Sequence, residues 1–465
     1  MDFSASNTAL WSGVVQFGII AAAILLSNVL RRKLPFIRST LMPTAVLAGF
    51  LLLILRSAGW LDLNAELLEM ITYHGIALGF IAMSLRVPAE KTKSESGGLV
   101  GLKSGAVIVS TYLVQGFFGL LISLGLAYTV LPNLFKASGI LLPMGFGQGP
   151  GQANNVGTSF EALGFAGGRS FGLSIAAAGY LCACVVGVIY VNILARKKGM
   201  KPAGDAPSVS GSVTVDTFQD KNEIPISESV DKLSVQVALV LIVYLLTYLA
   251  TWGLTSLFTA SLPGLAGTIN PLIWGFNFIV GSALAIAVRS LIKGLRATRV
   301  MTRQYQNNYL LSRISGLAFD VMIVAGIASI DIADLSGLWT PFLLMSAVGA
   351  VVTLVHLRIV CKRVYGDYYQ EGFVSMYGML TGTISSGVLL LREIDPLFET
   401  PAANNLITGS SFGILFGAPM LLLIGIAPQS EAMTFTVLGL LVVYFAALML
   451  IIYGIGRGKK NKTKK

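Results

Sequence analysis

The pattern of apolar runs predicts an all-α integral membrane protein. It would consist of two inverted-topology repeats, each with five transmembrane helices plus one re-entrant hairpin, and an extra C-terminal helix. Three observations support this prediction: an apolar composition, eleven apolar runs of membrane-spanning length, and two glycine-rich polar stretches at matching places in the two halves. Of the 465 residues, 54% are hydrophobic and 12% are charged. An average soluble domain is roughly 25% charged, so the composition excludes a soluble globular protein.

Windows of about 20 apolar residues locate the predicted spanning helices. The first run follows an N-terminus without Lys or Arg and is too long for the core of a signal peptide, so we expect a retained helix. In the first half, helices are predicted at 9–30, 41–59, 67–86, 104–131 and 170–195. In the second half they are predicted at 234–258, 270–292, 309–331, 338–357 and 402–426, with one more at 432–455.

The distribution of basic residues predicts the topology. With the N-terminus outside and the C-terminus in the cytoplasm, 29 of the 33 Lys and Arg residues fall in cytoplasmic loops, at the cytoplasmic ends of the helices or in the tail. This agrees with the positive-inside rule for a multi-pass protein of the plasma membrane. Because the net charge of +11 follows from this topology, we expect membrane lipid and no nucleic acid as a partner.

The predicted domains follow from these crossings. A first repeat at 1–198 has its hairpin near 138–162, and a second repeat at 233–428 has its hairpin near 374–395. Between them, 199–232 is a polar cytoplasmic linker, interpreted as a tether with a regulatory role as the alternative. An additional helix at 429–456 and a basic cytoplasmic tail at 457–465 complete the chain.

The two glycine-rich stretches predict a binding site. Pro143–Thr158 and Tyr377–Gly387 are built of glycine, proline, carboxamides and hydroxyls, yet each lies between apolar helices. At membrane depth a broken helix is tolerated only where it is buried in protein or lines a cavity, although a surface loop is the alternative. Paired interruptions at matching places in two halves are typical of a transporter's substrate site. The repeat also extends beyond the hairpins. Leu34, Pro35, Thr40 and Pro43 recur as Leu262, Pro263, Thr268 and Pro271, each shifted by the same number of positions.

Oxygen-bearing side chains on the hairpins are the candidate ligands, because helix ends beside them favour ions. The predicted substrate-binding residues are Gln148, Gln152, Asn154, Asn155, Thr158, Thr383, Ser385, Ser386 and Arg392. The predicted sodium ligands are Thr381, Asp320, Asn155 and Ser385, and no other metal or cofactor is expected. For each of these residues the alternative is capping of, or hydrogen bonding to, its own helix.

Asp320 is the one carboxylate well inside a predicted apolar helix, which makes it a functional hypothesis by default. It would bind sodium or a proton, or neutralise a cation; a position near the cytoplasmic interface would make it an ordinary residue. Glu161 and Arg392 occupy equivalent places on the return arms, where they would gate the two mouths or extend to the interface. Polar residues in other apolar helices are interpreted as helix–helix hydrogen bonds: Gln115, Asn28 and Asn277.

Other function classes lack the residues that they require. The chain has two histidines and three cysteines in no metal or redox spacing, and it has no HExxH motif and no phosphate loop. We therefore expect no enzymatic activity. An ion channel, or a proton-coupled transporter of a different carboxylate, is the alternative to a sodium-coupled transporter.

Two stretches carry a resemblance to a known family. The first hairpin closes on Asn154-Asn155-Val156-Gly157-Thr158, and the second half begins at Ile224-Pro225-Ile226-Ser227-Glu228-Ser229. Together with the two inverted five-helix halves, they resemble the bacterial sodium/glutamate symporter (ESS) family from Ala9 to about Pro428. The resemblance implies sodium-coupled uptake of glutamate or a related small organic anion. It also implies alternating access at the tips of two opposed hairpins, by an elevator-like motion within a homodimer.

Overall fold

The computed structural model describes residues 3–39, 42–87, 97–198, 231–261, 270, 273–395 and 400–454. It is 85% helical, and no described residue belongs to a β-strand. The predicted tail, nearly all of the predicted linker, the start of the second half at 224–229 and the second copy of the Leu-Pro pattern lie outside the described residues.

Sixteen α-helices are described, and we number them in chain order. They are α1 (Thr8–Lys33), α2 (Pro35–Ser39), α3 (Thr44–Ser57), α4 (Ala65–Leu85), α5 (Gly97–Thr129), α6 (Pro150–Glu161), α7 (Gly168–Cys182), α8 (Val188–Lys198), α9 (Lys232–Ser261), α10 (Asn277–Ala297), α11 (Asn308–Ala328), α12 (Trp339–Tyr365), α13 (Tyr369–Leu380), α14 (Ile384–Arg392), α15 (Ala402–Ile426) and α16 (Glu431–Gly454).

Ten helical segments in the described part of the chain are long and apolar enough to cross a membrane, which confirms an all-α, multi-pass membrane protein. A π-helical turn at Ala183–Gly187 joins α7 and α8 into one of them, Gly168–Leu194. The crossing predicted at 41–59 corresponds to α3, which has 14 residues. At 1.5 Å per residue α3 spans about 21 Å, less than the roughly 30 Å of a bilayer core.

The helices form two compact units, and the boundaries between the units fall within α4 and α11. The larger unit comprises 1–69, 93–206 and 324–465. Its central helix is α5, which packs against α12, α15 and α16 and is the most buried of the ten segments. Small residues allow this packing: a Cβ on Gly105 would lie 2.5 Å from Cβ of Phe412.

Within the larger unit, a glutamine and an asparagine fix the start of α4. The Asn64 N–H donates to Oε1 of Gln16 at 3.0 Å, and Oδ1 of Asn64 accepts the N–H of Leu67 at 3.1 Å. Asn64 is thereby an N-cap that is itself held by α1.

An arginine and a glycine of α3 hold the end of α11, also within the larger unit. The Arg56 guanidinium donates to the carbonyls of Ala328 and Ile330 at 3.2 and 3.3 Å, which are otherwise the unpaired carbonyls of a helix end. One side of α3 lies close to α11, since a Cβ on Gly49 would be 2.8 Å from Cβ of Ile327.

The smaller unit comprises 70–92 and 207–323. Its core is formed by buried side chains of α4, α9, α10 and α11, namely Ile81, Ala82, Leu85, Val240, Val243, Ala285 and Leu311. Here α4 and α11 run antiparallel: a Cβ on Gly75 would meet Cβ of Met322 at 3.0 Å, and one on Gly79 would meet the ring of Phe319 at 2.4 Å.

The same kinds of contact recur in the smaller unit. The Asn307 N–H donates to Oε1 of Gln236 at 3.1 Å, and Oδ1 of Asn307 accepts the N–H of Leu310 at 2.7 Å. Gln236 of α9 therefore holds the N-cap of α11, just as Gln16 of α1 holds the N-cap of α4.

The end of α4 is held from α10 in the way that the end of α11 is held from α3. The Arg289 guanidinium donates to the carbonyls of Ser84 and Arg86, both at 3.0 Å. A Cβ on Gly281 would lie 2.9 Å from the Ile81 side chain. The contacts of α3 with α11 and those of α10 with α4 are therefore of the same kind. In each pair a glycine faces an isoleucine, and an arginine caps the end of the other helix.

The two asparagine N-caps generate a stability prediction. Asn64→Ala and Asn307→Ala should each destabilise the protein by about 1 kcal/mol, because each substitution removes the side-chain acceptor of an N-cap. The measurement is the thermal unfolding midpoint of the purified protein in detergent. Asn28→Ala is the control, since Asn28 is exposed on α1 and should tolerate the change. Equal midpoints for all three variants would contradict the capping role.

Candidate functional site

The first interrupted segment lies between α5 and α7. It enters through a short 3-10 turn, Lys136–Ile140, and a π-helical turn, Pro143–Gly147, and it leaves as α6. The break falls at Gln148 and Gly149. Gly149 has φ +90°, a conformation that L side chains rarely adopt, and Pro150 follows at the first position of α6. The sequence Gly-Pro therefore determines where the helix restarts.

The second interrupted segment consists of α13, a break at 381–383, and α14. Its two arms pack in antiparallel backbone contact. A Cβ on Gly378 would lie 2.8 Å from Cα of Gly387, and a Cβ on Gly387 would lie 2.4 Å from the carbonyl oxygen of Ser375. Glycine at both positions permits this close approach.

The two breaks meet inside the larger unit. A Cβ on Gly149 would lie 3.6 Å from the Gly382 carbonyl oxygen and 3.8 Å from Cγ2 of Thr383. Tyr180 of α7 lies beside both breaks: its Oη is 3.9 Å from the same Cβ position on Gly149, and its Cδ1 is 3.1 Å from that on Gly382. We refer to 148–149 as the first tip and to 381–383 as the second tip.

Each tip precedes the start of a helix whose first N–H groups have no side-chain cap. Gly149 is the N-cap of α6 and Thr383 is the N-cap of α14, and neither helix start has a side-chain capping bond. The positive ends of two helix dipoles therefore lie side by side, an arrangement that favours an anion.

Several buried polar atoms around the tips have no hydrogen-bond partner in the described part of the chain. Buried polar groups are normally paired, so a cluster of exceptions indicates a place where a ligand or water binds. Gln152, Asn154 and Ser386 are at most 3% exposed. The unpaired atoms are Gln115 Oε1, Gln152 Oε1, Asn154 Oδ1, Tyr377 Oη, Thr383 Oγ1 and Ser386 Oγ.

Gln115 of α5 contacts both interrupted segments. Its Nε2 donates to Oγ1 of Thr353 at 2.8 Å and to the carbonyl of Leu380 at 3.0 Å, at the end of α13. Its Oε1 would lie 2.8 Å from a Cβ on Gly147. Gly147 is the last residue of the first entering arm, by which we mean the part of the first interrupted segment from Lys136 to Gly147. The helix–helix hydrogen bond predicted for Gln115 is present, and the same side chain also reaches the tips.

The structure brings together some of the predicted site residues. Gln148, Gln152, Thr381, Thr383 and Ser386 lie at the tips or within one helical turn of them. Asn154 and Asn155 lie in the second turn of α6 and are buried. Ser385 lies in the first turn of α14. The hydroxyl of Thr381 donates to the Tyr377 carbonyl at 2.7 Å, which is the alternative of bonding to its own helix.

Thr158 and Glu161 lie at the far end of α6, in a polar cluster away from the tip. Thr158 donates to Oε1 of Glu69 at 3.1 Å, the Arg169 N–H donates to Oε1 of Glu161 at 3.0 Å, and Nε of Arg169 is 4.0 Å from Oε2 of Glu69. Burial raises the pKa of the Glu161 carboxyl, and the carboxylates of Asp334 and Glu69 also raise it, whereas Arg169 opposes this shift. This cluster joins the starts of α4 and α7 to α6.

Two other predicted residues lie away from the tips. Arg392 is the last residue of α14, about 13 Å along the helix axis from Thr383 at 1.5 Å per residue. Asp320 is on the part of α11 that belongs to the smaller unit, where it is exposed. Their roles in binding stay predictions.

Three tyrosines near the tips were not predicted from the sequence. They are Tyr112 of α5, whose ring would lie 2.4 Å from a Cβ on Gly147, Tyr180 of α7 and Tyr377 of α13. The signal that the sequence offers for Tyr112 and Tyr180 is a polar group inside an apolar helix, as for Gln115.

No protein-family model matches the chain, and no curated protein matches it either.

Gly149 generates a prediction about the first tip. Gly149→Ala should destabilise the protein by about 1–3 kcal/mol, because alanine at this φ is strained, and it should also weaken binding of any ligand held at the tips. Gly164→Ala is the matched control, since Gly164 has φ +98° with no atom within 4 Å of its Cβ position. Thermal midpoints with and without ligand separate strain, common to both variants, from loss of binding, expected only for Gly149→Ala. Equal ligand responses in both would contradict a role of the first tip.

Proposed function

We propose that the protein is a sodium-coupled secondary active transporter for glutamate or a related small organic anion. The observation that carries this proposal is the meeting of two interrupted helices, with Gly149 and Thr383 side by side at the starts of α6 and α14. The stretches 143–160 and 377–391 contain no charged residue, so helix ends and neutral polar groups would hold the anion. The resemblance to the sodium/glutamate symporter family leads to the same substrate class.

The recurring contacts support an inverted repeat. In each case a helix from one half of the chain holds the end of a helix from the other half: Arg56 caps α11, and Arg289 caps α4. Such reciprocity is expected when two equivalent parts are related by a two-fold axis. The antiparallel packing of α4 against α11 is what two equivalent helices of opposite orientation would produce.

Helix lengths support the interpretation of the two segments as re-entrant hairpins. The apolar run Trp339–Leu380 has 42 residues, about 63 Å of helix, which is twice the thickness of a bilayer core. One crossing by α12 leaves α13 as an entering arm, and α14 packs back along it. By the charge distribution, the first hairpin would open to the outside and the second to the cytoplasm.

The unpaired oxygens support binding of a cation next to the anion. Amide oxygens of Gln152 and Asn154 only accept hydrogen bonds, and hydroxyls of Thr383 and Ser386 can present lone pairs. Broken helices in transporters expose carbonyls and helix C-terminal ends that bind sodium, whereas their N-terminal ends bind the substrate anion. Both kinds of helix end occur at the two tips.

Uptake by the reconstituted protein tests the function. In proteoliposomes, radiolabelled L-glutamate should accumulate when sodium is high outside, and Ser386→Ala should reduce this uptake about tenfold, because one site hydroxyl is lost. Ser375→Ala is the matched control: Ser375 lies on α13, is equally buried, and donates to its own helix at Gly372. Glutamate binding that is indifferent to sodium would contradict symport, since coupled ligands must raise each other's affinity equally.

Cysteine labelling tests the two-sided arrangement. In a background without Cys182, Cys184 and Cys361, we expect Gln148→Cys to react with a membrane-impermeant thiol reagent mainly from outside. Thr383→Cys should react mainly from the cytoplasm, and sodium with glutamate should slow both reactions because the ligands occupy the space between the tips. Reaction of both cysteines from one side without protection would mean that the segments are ordinary loops.

A further inference from the structure

The amide of Gln115 is held in one orientation. The side chain is completely buried, and its two Nε2 protons are both used, one by the Thr353 hydroxyl and one by the Leu380 carbonyl. If the amide were turned round, its oxygen would face the Leu380 carbonyl, and two acceptors would meet without a proton between them. The oxygen of Gln115 therefore points away from Leu380.

The Oε1 of Gln115 is a fixed acceptor that no described residue satisfies. It faces the end of the first entering arm, 2.8 Å from the position of a Cβ on Gly147. A buried carbonyl oxygen without a partner is unfavourable, and the unfavourable term disappears when a donor or a cation binds there. No hydrogen bond inside the helix α5 can relieve it, because the oxygen points out of the helix toward the tips.

The surroundings of this oxygen favour a cation. The first entering arm ends at Gly147 and α13 ends at Leu380, so the negative ends of two helical segments flank Gln115. The Leu380 carbonyl is itself a bonding partner of the Gln115 amide. Amide oxygens and helix-end carbonyls are the ligands that broken helices offer to a compact cation.

We propose that Oε1 of Gln115 is a ligand for a compact monovalent cation bound between the two tips. This inference rests on the proposed transport function and adds a specific residue to it. The cation is the coupling sodium ion or the ammonium group of an amino-acid substrate, because both need several oxygen acceptors in a small space. Gln115 thereby links the cation to both interrupted segments, since the same side chain bonds to the end of α13.

The chain provides a matched control in Gln236, a second buried glutamine. Its Nε2 donates to the carbonyls of Lys232 and Tyr305, and its Oε1 accepts the N–H of Asn307. Every hydrogen-bonding group of Gln236 is therefore paired within the protein. Gln236→Met should lower stability without affecting any ligand, whereas Gln115→Met should affect both.

The experiment measures thermal unfolding of the full-length protein in detergent, without substrate, as sodium chloride replaces choline chloride at constant ionic strength. The wild type should be stabilised by sodium in a saturable manner, because the ion binds the folded state. For Gln115→Met the sodium concentration at half-maximal stabilisation should rise at least about tenfold, the equivalent of losing one good ligand. For Gln236→Met it should equal the wild-type value.

A second set of binding measurements distinguishes the two possible cations, sodium and the ammonium group of the substrate. L-glutamate and glutarate have the same two carboxylates, but only glutamate has an ammonium group. If Gln115→Met weakens glutamate binding about tenfold and leaves glutarate and sodium binding unchanged, the ligand is the ammonium group. If Gln115→Met responds to sodium, glutamate and glutarate as the wild type does, the inference is wrong.

A replacement variant and three further results complete the test of Gln115. Gln115→Asn keeps an amide but withdraws its oxygen by one methylene, and it replaces Gln115→Met if that variant does not fold. A wild type that is stabilised by neither sodium nor glutamate overturns the inference. Sodium stabilisation that depends on Gln115, without uptake under any gradient, would support the inference and refute transport. If the protein shows sodium-driven uptake but Gln115→Met responds to sodium, glutamate and glutarate as the wild type does, the inference about Gln115 is refuted and the transport function is not.

Discussion

A helix that breaks among apolar helices leaves backbone N–H and C=O groups that the hydrocarbon of a membrane cannot satisfy. Both breaks of this protein are therefore enclosed by other parts of the larger unit. Gln115 bonds to the carbonyl at the end of α13, and Tyr180 packs beside both tips. What is left unpaired is a group of side-chain oxygens together with two helix starts. The requirement to satisfy a broken backbone thus determines where a polar ligand can bind.

Enclosure of the breaks depends on close approach of neighbouring backbones. A Cβ on Gly119 would lie 2.1 Å from the carbonyl oxygen of Gly139, so α5 touches the first entering arm directly. Any side chain at either position would separate the two elements. Because α5 also carries Gln115, this contact fixes the height of the amide relative to the first tip. The backbone packing and the position of the proposed ligand are in this way two consequences of one contact.

The helical fold could be predicted from the sequence because apolar runs of spanning length are a local signal. The locations of the tips were predicted less well. The sequence indicates only the interrupted stretches Pro143–Thr158 and Tyr377–Gly387, and within them the helices restart at Pro150 and Ile384. The Gly149-Pro150 pair is the local signal for the first restart, because Gly149 has a positive φ and Pro150 is the first residue of α6. Tyr180 could not be predicted, because its relation to the tips depends on packing between residues far apart in the chain.

The two halves of the chain cannot be aligned over their whole length with one constant difference in residue number. The contacts that support a repeat show why. Gln16 and Gln236 are separated by a shorter stretch of chain than Asn64 and Asn307, so insertions between helices shift the register from one element to the next. The pairs are nevertheless recognisable, because each asparagine begins a helix and each glutamine accepts its N–H. The arginine contacts add a constraint of a different kind. Since each caps a helix from the other half, a single half would leave the end of its own third helix without its guanidinium cap.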